Sequence, residues 1–94
     1  MKPIIDIKIL EKAIDKWGES AQIEMIQEES MELALALQKY KRIDTDPVKG
    51  IEDIYDELAD MKIMLEQADL IFDPKRINER VEFKMDRLQK RLEK

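Results

Sequence analysis

Apolar residues recur every three or four positions through most of this chain, a spacing that places side chains on one face of a helix. The rhythm predicts helices over residues 4–17, from a cap at Ser20 to about Tyr40 or Arg42, from Asp46 to about Ile71, and from Asp73 onward. The pattern therefore predicts an all-α chain resembling a four-helix bundle, with residues 1–94 forming a single domain.

Turn residues mark the ends of these predicted helices. Gly18 can end the first helix in a left-handed conformation, and Ser20 can then cap the second. Asp46-Pro47 and Asp73-Pro74 each combine an N-cap with a first-turn proline, so they should start the third and fourth helices. Residues 43–45 form a short connection, so the second and third helices should pack as a long antiparallel hairpin at the centre of the fold.

Two pairs of acids fall inside the apolar stripes of the two central helices. At about 100° per residue, six apolar residues of the second helix lie within about 80° of Glu29, so Glu29 falls inside their stripe. Glu32 shares the face of Glu29. This stripe consists of Met25, Ile26, Leu33, Ala36, Leu37 and Tyr40. Glu57 and Asp60 stand in the same relation to the stripe of the third helix. Carboxylates in a core are costly unless a cation meets them, so a function is expected here.

The two acid pairs also lie at the same height in the predicted hairpin. The centre of the connection falls between Asp44 and Thr45, and the midpoints of the two pairs lie 14 residues before it and 14 residues after it. At about 1.5 Å per residue, both pairs are about 21 Å from the turn. The four carboxylates should therefore converge on one point.

Composition limits what such a cluster can do. The chain contains no His and no Cys, which excludes a histidine base, a thiolate site and the Glu-x-x-His motifs of di-iron bundles. An all-oxygen site suits Mg²⁺ or Mn²⁺, and carboxylate-bound Mg²⁺ completes its shell with waters and substrate phosphates. The acids therefore predict a metal-dependent phosphate site, and acids that are solvated or paired with Lys and Arg are the alternative.

Charge and length limit the partners. A net charge of −5 offers no basic excess for a nucleic acid polymer. No apolar run approaches membrane-spanning length, and the N-terminus lacks the apolar core of a signal peptide, so we expect a cytoplasmic protein without a membrane partner. Four helices of about 80 residues bury only a thin core, so we also expect self-association.

The acids form a motif that resembles a known family. Glu28-Glu29-x-x-Glu32, 24 intervening residues and Glu57-x-x-Asp60 resemble the signature of the MazG-like all-α nucleoside triphosphate pyrophosphohydrolases. Trp17 and Gln22 precede the motif as the resemblance requires, and it covers about residues 14–92. It implies Mg²⁺-dependent cleavage of an NTP or dNTP between the α and β phosphates, giving a nucleoside monophosphate and pyrophosphate. It also implies a homodimer or homotetramer whose sites are completed across subunits.

The resemblance assigns roles to individual acids. The implied metal ligands are Glu29, Glu32, Glu57 and Asp60. Glu28 matches the first acid of the motif and lies about 100° from Glu29, at the edge of the stripe. It is assigned to orienting or deprotonating the attacking water, and a solvated edge acid is the alternative. Asp53 and Asp56 share the Asp60 face and either bind a second ion or help the third helix to start.

A polyanionic substrate also requires cations. Lys84, Arg87 and Arg91 share one face of the fourth helix, and Lys84 and Arg87 resemble basic positions of the family that contact phosphate. Trp17 could stack on the base, and Gln22 could read its edge. The alternatives are surface solubility for the cations, core or interface packing for Trp17, and a partly exposed amide for Gln22.

Two other functions fit the same composition. A non-catalytic helical adaptor that dimerises would pair its acids with Lys and Arg. Its function would not require four carboxylates at one height on apolar stripes. A degenerate family member would bind nucleotide or metal without turnover. The placement of the acids favours the enzyme, a hydrolase of nucleoside triphosphates that maintains the nucleotide pool.

Overall fold

The protein is all-helical in the computed structural model, which describes residues 4–42 and 46–94. The helices are α1 (Ile7–Trp17), α2 (Glu19–Tyr40), α3 (Pro47–Ile71) and α4 (Pro74–Leu92). Since these residues contain no strand, the all-α prediction is confirmed. The predicted connection at 43–45 lies outside the described residues. Among the described helices, none is both long enough and apolar enough to cross a membrane.

The two Asp-Pro pairs start α3 and α4 as the sequence predicts. The Asp46 carboxylate accepts a hydrogen bond from the backbone N–H of Val48 at 3.0 Å, and Asp73 accepts one from Lys75 at 2.9 Å. Each side chain satisfies a donor that the first turn of a helix leaves without an internal partner. Proline follows each cap without loss because it has no N–H at the position where one would be unpaired.

The predicted start of α1 at residue 4 is wrong by three residues. Asp6 is extended, and its carboxylate accepts a hydrogen bond from the N–H of Lys8 at 3.0 Å. The helix therefore begins at Ile7, after the cap. Apolar residues continue on the N-terminal side of Asp6, so the pattern alone extended the predicted helix past its cap. Unlike Asp46 and Asp73, Asp6 is not followed by a proline that would mark it as a cap.

Gly18 separates α1 from α2, and it also takes the position predicted for Ser20. Its N–H donates to the Ile14 carbonyl at 2.7 Å, which closes α1, and α2 begins at Glu19. Gly18 has φ of 90° and ψ of 156°, a conformation that side chains with a Cβ rarely adopt. The predicted left-handed cap is therefore replaced by a positive-φ, extended glycine, and the predicted Ser20 cap is wrong.

Packing is concentrated in the α2–α3 hairpin, and α1 contacts both of its helices. The buried apolar side chains of the described residues are Leu10, Ile54 and Met64. No side chain of α4 is buried, and α4 makes no comparable contact with the other helices. The four-helix bundle therefore stays a prediction, because the described part of a single chain closes only three helices together.

The single chain exposes more surface than a compact monomer. Its accessible area is 8260 Å², whereas a compact monomer of 11.2 kDa would expose about 5,700 Å². Its radius of gyration is 16.5 Å, against about 12 Å for a compact domain of this length. Met25, Leu37 and Tyr40, which the sequence places on the inner stripe of α2, are exposed. Much of the apolar surface that the pattern predicts is thus left uncovered.

We expect Asp73→Ala to lower the free energy of unfolding by about 1 kcal/mol, because it removes the side-chain acceptor at the start of α4. Asp73→Ser keeps an acceptor oxygen and serves as the matched control. Urea unfolding followed by helical circular dichroism measures both variants. Equal stability of the alanine variant and the wild type would contradict the capping role.

Candidate metal centre

The hairpin brings Glu29 of α2 to Glu57 and Asp60 of α3. One carboxylate oxygen from each of the three lies within 4.8 Å of the other two. Oxygens that share one divalent cation lie 2.0–2.6 Å from it and hence at most about 5 Å apart. The spacing of these three carboxylates therefore suits ligands of a single ion.

Glu32 completes the group, which we call the acid cluster: Glu29, Glu32, Glu57 and Asp60. Glu29 lies within hydrogen-bonding reach of Asp60, and Glu32 within reach of Glu57. As the residue number rises along α2 its partner on α3 falls, so the hairpin is antiparallel in the register that equal distances from the turn predict. The structure brings three of the four predicted acids together, with Glu32 close to Glu57 at one side, and the role of the four acids as metal ligands stays a prediction.

Burial within the acid cluster is uneven. Glu29 and Glu57 are half-buried, whereas Glu32 is exposed. Glu32 was expected on the buried side of α2 with the apolar stripe, and its exposure contradicts that expectation. The cluster is therefore a partly open site with Glu32 at its rim.

Burial and mutual repulsion perturb two carboxyl groups of the acid cluster. Burial raises the pKa of Glu29 from its ordinary value of 4.5 to about 7, and the charges of Asp60, Glu32 and Glu57 add to the effect. Burial also raises the pKa of Glu57, with contributions from Glu32, Asp60 and Asp56. Each pKa rises because burial and neighbouring negative charges make the ionised carboxylate less favourable than it is in water. Protonation of Glu29 is thus favoured relative to an ordinary carboxyl group, and a bound cation would favour its ionised form.

Cations of the chain do not neutralise the acid cluster in the part that the structure describes. The salt bridges there are Lys49–Asp53 and Lys90–Asp86, each at 3.0 Å. Both are exposed pairs within one helix, and neither includes a member of the cluster. The first pairing gives Asp53 an ordinary structural role on α3. The adaptor alternative, which needs acids paired with Lys and Arg, therefore finds no support at the cluster.

Two oxygens of the acid cluster have no hydrogen-bond partner although they are buried. These are Oε2 of Glu29 and Oε2 of Glu57. Buried polar atoms are nearly always satisfied, and a buried carboxylate oxygen is costly without a donor or a cation. The donor set is composed of carboxylates alone, which is the preference of hard cations such as Mg²⁺ and Mn²⁺. The residues present therefore fit a divalent metal.

Glu28 lies outside the acid cluster. It is exposed and lines a shallow depression on the outer face of α2 together with Glu24, Gln27, Ser30 and Met31. This agrees with its predicted place at the edge of the stripe. It does not separate the catalytic interpretation from that of a solvated acid, so its role stays a prediction.

The predicted substrate-binding residues are not gathered around the acid cluster within one chain. Lys84 and Arg87 lie on α4, which does not pack on the hairpin. Trp17 is 59% exposed, and the Lys16 ammonium lies 5.4 Å from its ring centroid, a cation–π distance. Gln22 is only 2% exposed, so the alternative of a partly exposed amide is wrong, and its predicted contact with a base stays untested. Its side chain is buried within the packed helices instead.

Gln67 is a buried polar residue that the sequence reasoning missed. It is 1% exposed, and its Oε1 has no hydrogen-bond partner. It follows Asp60 by seven residues, so it lies two turns further along the same face of α3. Gln22 precedes Glu29 by the same number, which places the two glutamines at one height. The equal-distance rule that located the acids would have located this pair too.

An apolar groove opens beside the acid cluster. It has a volume of about 360 Å³ and lies between the N-terminal part of the described chain and α3. Its lining comprises Ile4, Ile5, Ile9, Leu10, Ala59 and Ile63, with Asp6 and Lys62 as the polar members. Ala59 and Ile63 bracket Asp60 in the sequence, so the groove and the cluster are neighbours on α3.

Comparisons of this chain with protein-family models, with curated proteins and with solved structures find no match. The MazG-like resemblance therefore stays a prediction from the acid motif, and the geometry of the acid cluster carries the functional argument.

Proposed function

We propose that this protein is a Mg²⁺-dependent pyrophosphohydrolase that converts an NTP or dNTP into a nucleoside monophosphate and pyrophosphate. One observation carries the proposal: two helices bring carboxylate oxygens of Glu29, Glu57 and Asp60 within 4.8 Å of one another, and buried oxygens of Glu29 and Glu57 have no partner. The motif resemblance supplies the reaction. In this proposal the enzyme works in the cytoplasm as a homodimer or homotetramer and removes nucleotides from the pool.

The acid cluster would hold the metal. Glu29 and Glu57 would contribute their unpartnered oxygens, and Asp60 lies close enough to share the same ion. Glu32 at the rim would face the substrate side, where solvent reaches it. When bound, Mg²⁺ would polarise the phosphoryl oxygens and lower the pKa of water, which suits a chain without histidine.

The remaining roles fall to residues around the acid cluster. Glu28 is open to solvent and directly precedes Glu29 in the chain, and we assign it to orienting or deprotonating the attacking water. Lys84 and Arg87 would bind the triphosphate, because charge-assisted hydrogen bonds from Lys or Arg to phosphate are about twice as strong as neutral ones. Trp17, largely exposed, would stack on the base. Since α4 does not approach its own cluster, the basic pair would come from another subunit.

The test is a panel of the common NTPs and dNTPs incubated with the folded protein and Mg²⁺. Chromatography of the products separates monophosphate plus pyrophosphate from diphosphate plus phosphate. We expect monophosphate and pyrophosphate from at least one member, and no product in EDTA. Nucleotide binding without any product would favour the degenerate, non-catalytic alternative, and neither binding nor product would favour the adaptor.

A further inference from the structure

Two glutamines of the α2–α3 hairpin are the most deeply buried side chains of the described residues. Gln22 is 2% exposed and Gln67 is 1% exposed, whereas the buried apolar side chains Leu10, Ile54 and Met64 are 7%, 9% and 8% exposed. Oε1 of Gln67 has no hydrogen-bond partner, and a buried polar atom without a partner lowers the free energy of unfolding. A chain that keeps such an amide in its core is expected to gain something other than stability from it.

The two glutamines lie at one height in the hairpin and on the same faces as the acids. Gln22 lies seven residues before Glu29 on α2, and Gln67 lies seven residues after Asp60 on α3. Seven residues are about 700° of helical rotation, so each glutamine lies within about 20° of its acid's direction and about 10.5 Å from it along the axis. Glu29 and Asp60 meet across the hairpin. The two amides should therefore meet as well, in a polar layer two turns from the acids.

A slip of α2 along α3 by one turn, about four residues, would separate the two amides. In one direction Gln22 would be level with Ile71, and Gln67 with Ile26. In the other direction Gln22 would be level with Ile63. Either slip leaves an amide among apolar side chains, where an unpaired polar group is costly. Of these three registers, the observed one is the register that brings the amides to the same height.

We propose that Gln22 and Gln67 are positioning residues that fix the axial register of the hairpin and thereby hold the acid cluster together. A single buried polar layer has this effect in coiled coils, where it specifies register at a cost in stability. The role differs from contact with a nucleobase, because both amides are buried within the chain. The consequence for a bound cation rests on the metal site proposed above, whereas the register itself can be measured without a metal.

Spin labels measure the register directly. The protein has no Cys, so Lys39→Cys with Glu66→Cys, both at exposed positions, places one label on each helix. In the observed register Ile23 is level with Glu66, and Lys39 lies 16 residues beyond Ile23. The resulting axial offset of about 24 Å changes by about 6 Å when the register slips by one turn. Labelled protein diluted in an excess of unlabelled protein reports the distance within one chain.

The labelled chain is compared with the same chain carrying Gln22→Met and Gln67→Met, which replace the amides by apolar side chains of similar size. We expect one distance without these changes and an additional population displaced by about 6 Å with them. Met64→Leu, a swap of similar volume on the same face of α3, is the matched control and should keep the single distance. A double methionine variant that is helical by circular dichroism and keeps the original distance would overturn the proposal.

Metal binding and stability together separate positioning from simple packing. We expect Gln67→Met to raise the unfolding temperature in EDTA, because it removes the unpartnered oxygen, and to weaken Mn²⁺ binding at least about tenfold. Gln67→Asn keeps an amide but leaves a small cavity, so it should lower the unfolding temperature and keep the affinity for Mn²⁺ near the wild-type value. Affinity that instead follows stability in the two variants, or a methionine variant that does not fold, would overturn the positioning role. A wild type that binds no Mn²⁺ would remove the metal site, and the spin-label distances would then decide the role of the glutamines alone.

Discussion

Glu57→Gln is expected to lower pyrophosphate release at least about a hundredfold, because it removes one of the ligands that would hold the metal. The same change should make the metal-free protein more stable. The pKa of Glu57 is raised by burial and by the charges of Glu32, Asp60 and Asp56, so its ionised form is unfavourable in the fold. Glutamine keeps the shape of the side chain and removes the charge. Loss of activity with a gain in stability is the signature of a residue placed for function.

Glu66→Gln provides the matched control for this variant. Glu66 lies on the same helix and is exposed. Its replacement by Gln removes one negative charge, as Glu57→Gln does. We expect it to leave both activity and stability near the wild-type values. Pyrophosphate release with Mg²⁺ and thermal unfolding in EDTA measure the two quantities. An active Glu57→Gln enzyme, or one that unfolds at a lower temperature than the control, would contradict the assignment.

The metal-free protein is expected to be more stable at pH 5.5 than at pH 7.5. The pKa of Glu29 is about 7 in the folded chain and 4.5 ordinarily, so the folded state binds more protons between these two values. Stability from this group is therefore greatest at low pH and declines as the pH rises toward 7. Paired carboxylates, whose pKa values are lowered in the folded state, instead lose their stabilisation as the pH falls below about 5, so the sign is informative.

Mg²⁺ is expected to reverse this pH dependence. A carboxylate must lose its proton to bind a metal. The affinity of the acid cluster for Mg²⁺ should therefore fall about tenfold per pH unit below 7 if one proton is displaced. The stabilisation by Mg²⁺ should consequently be large at pH 7.5 and small at pH 5.5. Thermal unfolding with and without Mg²⁺ across this range measures it. Glu29→Gln should flatten both curves, and an unchanged pH dependence in that variant would locate the titrating group elsewhere.

The central hairpin and its acid cluster could be predicted because both depend on local rules. Helical periodicity and two Asp-Pro starts locate α2 and α3, and a short connection makes them antiparallel. Equal distances from the turn then pair Glu29 with Asp60 and Glu32 with Glu57, as observed. The helix starts that were missed, at Asp6 and Gly18, involve single capping residues without a second signal.

Burial could not be predicted because it depends on which surfaces meet. The periodicity places Glu32 and Gln22 on the same inner face of α2, yet Glu32 is exposed and Gln22 is buried. The course of α4 is a tertiary property for the same reason. Its stripe was read correctly as apolar, but the described chain offers it no partner. The sequence of α4 shows an apolar stripe, but it does not indicate which surface would cover that stripe.

Binding of Mn²⁺ at pH 7.5 tests most directly whether the acid cluster is a divalent-cation site. Free Mn²⁺ gives an electron paramagnetic resonance signal that disappears on binding, so a titration of the folded protein yields affinity and stoichiometry without any substrate. We expect the wild type and Glu66→Gln to remove the signal alike, and Asp60→Asn to lose this binding. Equal binding by Asp60→Asn and the wild type, or no binding by the folded wild type, would contradict a metal site at Glu29, Glu57 and Asp60.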